Sequence, residues 1–213
     1  MQLARRGATV DVVEIDPVSL HVAQTFFGFD PARARVHHAD ARTFLRNCPR
    51  RFDVVVVDLF HGDGMPDYLV TREVFRDLRK CLSERGVVVF NSFADLEHPA
   101  VYAHFLATLR AELPHIALYR PEWPGATHVN SFVVAGADPL SVPARVTLNH
   151  VPARHSESLW SMLANPRPLD AALLAGGRIV TDARNSAAHD MALGQLVYRH
   201  SVVEALPPTL LLN

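Results

Sequence analysis

Three short apolar segments near the start of the chain each finish on a carboxylate: Val10-Asp11-Val12-Val13-Glu14-Ile15-Asp16, Arg35-Val36-His37-His38-Ala39-Asp40 and Phe52-Asp53-Val54-Val55-Val56-Val57-Asp58. Their length and β-branched content read as strands, and the helical stretches between them point to a parallel α/β sheet. Ligands of such sheets bind beyond the carboxyl ends of the strands, so these acidic side chains are expected to converge on one crevice. The glycine-rich turn that should precede them is absent from the sequence.

Composition narrows the function classes. With 213 residues, 49% hydrophobic and 20% charged, the chain has enough apolar material for a full core. The longest apolar runs, residues 54–57 and 210–212, fall far short of the roughly 20 residues a bilayer demands, and no basic segment followed by an apolar stretch suggests a secretory signal. A formal net charge of -1 argues against a nucleic-acid face. Cys48 and Cys81 alone suggest neither a disulfide framework nor a metal knuckle, which fits a reducing cytoplasm. Lys80 is the one lysine, which excludes a Walker-type loop, and its place in a charged helical stretch argues against a Schiff-base role. Twelve histidines invite a metal reading, but no HExxH occurs. In His37-His38-x-Asp40 the adjacent histidines would point to opposite faces of a strand, so no metal is expected. There is no GxSxG elbow, and Gly62-Asp63-Gly64 lacks the spacing of a dinucleotide loop.

The coarse order of elements is β-α-β-α-β-α-β-α followed by a hairpin. Residues 1–6 read as a last helical turn closed by Gly7. Asp16-Pro17 opens a helix with an N-cap and a proline at its first position, and Val18, Val22 and Phe26 recur along it at helical spacing. Asp40 is placed to cap the next helix. The unbroken valine run 54–57 is expected to be a central strand buried on both faces. Thr71 reads as the N-cap of a helix carrying Val74, Phe75, Leu78, Cys81 and Leu82, closed by Gly86. Residues 115–119 and 128–135 read as an antiparallel pair. From residue 140 the pattern weakens, with helical character only around Leu159-Trp160-Met162-Leu163 and over 193–203. We therefore expect a sheet domain over 1–139 and an appendage over 140–213.

These motifs resemble the spermidine synthase family, the polyamine aminopropyltransferases, which share the fold of class I S-adenosylmethionine-dependent methyltransferases. The resemblance spans about residues 6–135, with an echo at Thr181-Asp182 and Asn185. It implies that the Glu14-Ile15-Asp16 strand end holds the nucleoside, with Glu14 on the ribose hydroxyls. Asp40-Ala41 would face the adenine amine, and Asp58 would lie beside the reacting amine and carbon. Asp63 is the best match to a second catalytic carboxylate. The chemistry is coherent: a carboxylate accepts from both vicinal hydroxyls in a bidentate pair, and one beside an amine stabilises its cation and takes up a proton. The stretch after Asp58, Leu59-Phe60-His61-Gly62-Asp63-Gly64-Met65-Pro66, departs from the usual aminopropyltransferase pattern and is closer to a spermidine-synthase-like branch.

The resemblance implies a Rossmann-like, doubly wound, mostly parallel sheet with a C-terminal antiparallel hairpin. It also implies N-terminal truncation, because the family's first strand and Gly-x-Gly turn precede the position matched by Met1. Without that strand, its two neighbours either leave a gap or pair directly. The implied reaction is aminopropyl transfer from decarboxylated S-adenosylmethionine to a polyamine, with nucleoside and small amine ligands and no metal. Alternatives are a methyltransferase using S-adenosylmethionine and a non-catalytic homologue that keeps the fold. A cytoplasmic homodimer is expected, without nucleic-acid or membrane partners.

Overall fold

The computed structural model describes residues 2–59, 65–95, 99–120, 128–141, 153–169 and 171–186, with residues 196, 200, 203, 204 and 207. They fall into two compact units, Met1–Arg50 and Arg51–Asn213.

In the first unit, helix α1 (Gln2–Arg5) closes through Gly7 at φ 86, with Ala8 N–H donating back to the Leu3 carbonyl. Strand β1 (Asp11–Glu14) leads into α2 (Pro17–Phe27), and β2 (Arg35–His38) into α3 (Ala41–Arg46). The two strands pair in parallel, with Glu14 opposite His38. Asp16 caps α2 by accepting from Val18 N–H at 2.8 Å, and Gly28 ends that helix at φ 64. Asp40 caps α3 by accepting from Thr43 N–H at 2.9 Å. The apolar stripe of α2 is not buried: Val18 is 62% and Phe26 74% exposed. Two short strands and their helices offer little apolar surface in return.

The second unit holds the core. Strand β3 (Phe52–Val57) is followed by α4 (Arg72–Cys81), β4 (Leu82–Asp95), α5 (Ala100–Glu112), β5 (His115–Tyr119), β6 (His128–Gly136), α6 (Ala153–Ala164) and the short β7 (Arg167–Pro168). The sheet order is β3-β4-β6-β5-β7, with β3 parallel to β4 and the remaining pairs antiparallel. The fold is thus a mixed, Rossmann-like α/β architecture with the expected antiparallel β5–β6 pair. Phe75, Phe90 and Phe105 bring α4, β4 and α5 together through edge-on ring contacts with centroids 5.3–6.0 Å apart. Leu78, Val88, Leu106, Leu109, Leu118 and Val133 complete the buried layer. Arg72 on α4 donates to Glu112 Oε1 on α5 at 2.7 Å.

Several local expectations are corrected. Val54 and Val56 are 52% and 59% exposed rather than buried on both faces, because β3 is the edge strand of its sheet. Gly86 does not cap α4, which ends at Cys81. It lies within β4 where a Cβ would come within 2.7 Å of the Phe52 carbonyl oxygen, so glycine permits close passage of the two strands. Thr71 occupies the N-cap position of α4 without making a side-chain cap, and its hydroxyl is buried with no partner among the described residues. The Arg72 N–H of that end donates instead to the Val180 carbonyl at 2.8 Å. Most of the 193–203 stretch lies outside the described residues. No helix among the described residues is long and apolar enough to cross a membrane.

The burial difference between neighbouring valines yields a test. Val88 is fully buried in β4, so Val88→Thr is expected to cost about 1–3 kcal/mol by placing a hydroxyl in apolar surroundings. Val54→Thr and Val56→Thr should each stay within about 0.5 kcal/mol. Urea denaturation of the three variants decides; equal losses would mean that the outer face of β3 is covered.

Candidate functional site

The parallel register of β1 and β2 sets the acidic residues of the first unit. Because Glu14 pairs with His38, Asp16 and Asp40 follow their strands at matched positions beyond the carboxyl ends. Glu14 is half-buried, and its Oε1 accepts from Asp16 N–H at 2.8 Å, which turns the chain sharply into α2. Its Oε2 has no partner among the described residues. Asp16 is exposed, with its second oxygen 3.5 Å from the Ser19 hydroxyl. Ala41 is the half-buried first residue of α3, just after the Asp40 cap. The unit therefore groups Glu14, Asp16, Asp40 and Ala41 at one end, while each of the three carboxylates also holds a local backbone amide. Capping accounts for one oxygen of each acid and leaves Glu14 with an acceptor to spare.

At the opposite end of β1, Asp11 joins the strands. Its side chain is 5% exposed and accepts from the Arg50 guanidinium and, at 2.8 Å, from His37 Nε2 on β2. Burial alone would raise its pKa, but the bonds from Arg50 and His37 outweigh it and hold the carboxyl below its ordinary value.

In the second unit, Val57 pairs with Phe90, so Asp58 leaves β3 level with Asn91 of β4. Asn91 Nδ2 donates to Asp58 Oδ1 at 2.9 Å. Asp58 is exposed, whereas Asn91 Oδ1 is buried with no partner among the described residues. An exposed carboxylate oriented by a neighbouring amide at a strand's carboxyl end is placed to accept a cation or a proton. The sequence reading missed Asn91. A polar amide directly after the apolar run Val87–Phe90, beside Ser92, is the signal that could have found it. Asp63 lies outside the described residues. Asp182 and Asn185 are brought to the start of α4: Asp182 N–H donates to Glu73 Oε2 at 3.0 Å and Asn185 Nδ2 to the Asp67 carbonyl at 3.0 Å. No group of three metal-ligating side chains occurs among the described residues.

Carboxylates end three strands of this chain, and comparison with known proteins decides the lineage. The model of the spermine/spermidine synthase domain matches residues 5–132. The chain belongs to this family. A polyamine aminopropyltransferase of Vibrio vulnificus is 36% identical over 106 residues, covering 48% of this chain and 34% of its own. That of Nitrosomonas europaea is 30% identical over 158 residues, covering 66% of this chain and 47% of its own. The chain thus spans less than half the length of these polyamine aminopropyltransferase relatives. Among solved structures, a probable spermidine synthase from Corynebacterium glutamicum superposes with a TM-score of 0.55 at 19% identity, over 76% of this chain and 64% of its own. A spermidine synthase in complex with the transition state analogue AdoDATO gives 0.54 at 18%, over 72% and 62%. At these identities the superpositions establish a shared fold.

Asp11 supplies a pH test. A carboxyl held below its unfolded value contributes stability that is present above the unfolded pKa, about 3.9, and is lost as pH falls through the lower folded value. Asp11→Asn is expected to lower the stability of the first unit by about 1–3 kcal/mol at pH 7, with the deficit shrinking below about pH 4. Melting curves of the parent and variant from pH 7 to 2 measure it. A deficit that is constant across this range would show that the charge of Asp11 contributes nothing.

Proposed function

We propose that this chain takes part in aminopropyl transfer, using decarboxylated S-adenosylmethionine as donor and a polyamine as acceptor. The observation that carries the reading is Asp58, exposed at the carboxyl end of a parallel strand and oriented by Asn91. Family membership and the polyamine aminopropyltransferase relatives support it. In this scheme an amine nitrogen attacks the propyl carbon bonded to the sulfonium. A C–N bond forms, the C–S bond breaks, and its electron pair leaves on sulfur as methylthioadenosine. The proton lost by nitrogen passes to a carboxylate.

Asp58 is assigned to orient the amine and accept that proton, with Asp63 as the second carboxylate. Glu14 is assigned to the ribose hydroxyls through its unpartnered Oε2, and Asp40 with Ala41 to the adenine edge. Asp16 shapes that end by capping α2. The donor is a substrate of this scheme, and no metal enters it. A cytoplasmic location and homodimeric assembly belong to the same proposal.

The test is product formation. The 213-residue chain is incubated with decarboxylated S-adenosylmethionine and putrescine, and methylthioadenosine and spermidine are quantified. Asp58→Asn is expected to lower turnover by about 100-fold or more while nucleoside affinity changes little, since its work falls in the transition state. Glu14→Gln should weaken nucleoside affinity and leave turnover at saturation nearly intact. Equal effects of the two substitutions on binding alone would remove this division of labour. Methyl transfer from S-adenosylmethionine without aminopropyl transfer would replace the reaction assigned here.

A further inference from the structure

Residues 177–185 form an irregular strap over α5 and the start of α4, and side chains of α5 supply hydrogen-bond partners that a helix or strand would otherwise provide. Arg178 N–H donates to His104 Nδ1 at 3.0 Å, and Val180 N–H donates to Thr108 Oγ1 at 2.9 Å. His104 and Thr108 lie about one turn apart on α5, and both are buried. The Thr108 hydroxyl gives its proton to the His104 carbonyl at 2.6 Å, so it meets Val180 as an acceptor. The backbones pass closely: a Cβ on Gly177 would lie 2.7 Å from the Ala103 carbonyl oxygen. From this base the strap reaches α4, where Arg72 N–H donates to the Val180 carbonyl at 2.8 Å and Asp182 N–H to Glu73 Oε2 at 3.0 Å.

Of the two anchoring side chains, only a histidine changes charge near neutral pH. A ring nitrogen that accepts an N–H carries no proton, so the seated strap requires neutral imidazole at His104, with its proton on Nε2. Imidazolium has a donor on both nitrogens and no acceptor, so protonation would set donor against donor at Nδ1. Charge adds a second penalty: the Arg178 guanidinium lies 3.2 Å from Nε2, and His104 is only 4% exposed. Among the described residues, the carboxylates of α4 and α5 are engaged away from the ring. Glu112 faces Arg72 and Arg76, Glu73 accepts from the Asp182 N–H, and Asp77 pairs with Lys80. That bond to Glu73 also holds Asp182, the strap's own acid, at the start of α4. The Tyr102 phenol of α5 lies 3.0 Å from Ser131 Oγ on β6. The seated strap therefore binds one proton fewer at His104 than the released strap in acid, so seating is favoured at high pH and lost as pH falls.

We propose that His104 is a proton-operated latch: neutral, it holds the 177–185 strap on α5, and protonated, it releases the strap. Release also withdraws the Val180 carbonyl from Arg72 and the Asp182 amide from Glu73. The start of α4, where Thr71 makes no cap, then loses two contacts at once. The latch depends on the geometry of α5 and the strap, and it operates whatever reaction the chain serves.

The experiment follows amide hydrogen exchange in the full chain by NMR from about pH 8 to about pH 5, an interval that spans the ordinary histidine pKa of about 6.5. Protection is corrected for the intrinsic effect of pH and read at Arg72, Arg178 and Val180, with the buried core positions Leu106 and Val133 as references. The expected result is a loss of protection of about tenfold or more at the first three, over the same interval in which the His104 ring signals titrate. Leu106 and Val133 should stay within about twofold. His104→Asn offers an amide oxygen near the place of Nδ1 that does not titrate, so this variant should keep its strap protection at low pH. Strap protection that survives protonation of the ring would overturn the proposal. So would an equal loss at Leu106 and Val133, which means global unfolding, or an undiminished pH dependence in His104→Asn. If His104→Asn fails to fold, the parent chain decides: strap release coincident with ring titration supports the latch, and release at a separate pH removes it.

Discussion

The second unit depends on one packing event, the meeting of Phe75, Phe90 and Phe105. Each ring comes from a different element, and all three are nearly or fully buried. Edge-on ring contacts of this kind add orientation to the apolar burial, since the ring quadrupoles favour tilted over stacked geometry. Once α4 and α5 are seated against β4 in this way, β4 has one direction in which to run, and β3 pairs with it in a single register. That register brings Asp58 level with Asn91. Core packing therefore reaches Asp58 through strand register.

The polar contacts inside this unit follow the same rule of satisfied burial. Ser92 donates to the Ser131 carbonyl at 2.8 Å, and the Tyr102 hydroxyl lies 3.0 Å from Ser131 Oγ. Burial pushes the Tyr102 phenol upward in pKa, with the serine contacts pulling the other way. Ser92 faces Ser131 in the β4–β6 ladder, so this network pins the antiparallel register as the aromatic cluster pins the parallel one. Glu112 shows the electrostatic counterpart, a buried carboxylate answered by Arg72.

The first unit is organised differently. None of its described residues is fully buried, and its order comes from caps and pairs: Asp16 and Asp40 at helix starts, Gly7 and Gly28 at helix ends, and Asp11 between Arg50 and His37. The caps are readable from sequence because donor and acceptor lie within a few residues of one another, whereas Asp11 meets His37 and Arg50 across 26 and 39 residues of chain. The carboxylates proposed for the nucleoside serve as turn and cap residues as well, and the two uses are compatible because a carboxylate offers several acceptor positions.

What the sequence determined by itself was therefore local and periodic: the alternation of strands and helices, the caps at Asp16 and Asp40, the antiparallel closing pair, the strand-end acids, and the family. Tertiary structure alone decided whatever depends on a neighbour distant in the chain. An unbroken valine run reads as a strand, but whether both faces are covered depends on its place in the sheet, and at the edge Val54 and Val56 lie open. Thr71 reads as a cap, yet a carbonyl from Val180 partners the Arg72 N–H instead. Asn91 meets Asp58, and Asn185 the Asp67 carbonyl, only when register and packing bring together residues far apart in the chain. The physical reason is range: capping and periodicity act within one or two turns of chain, whereas burial and cross-strand hydrogen bonds depend on partners that only the folded chain supplies.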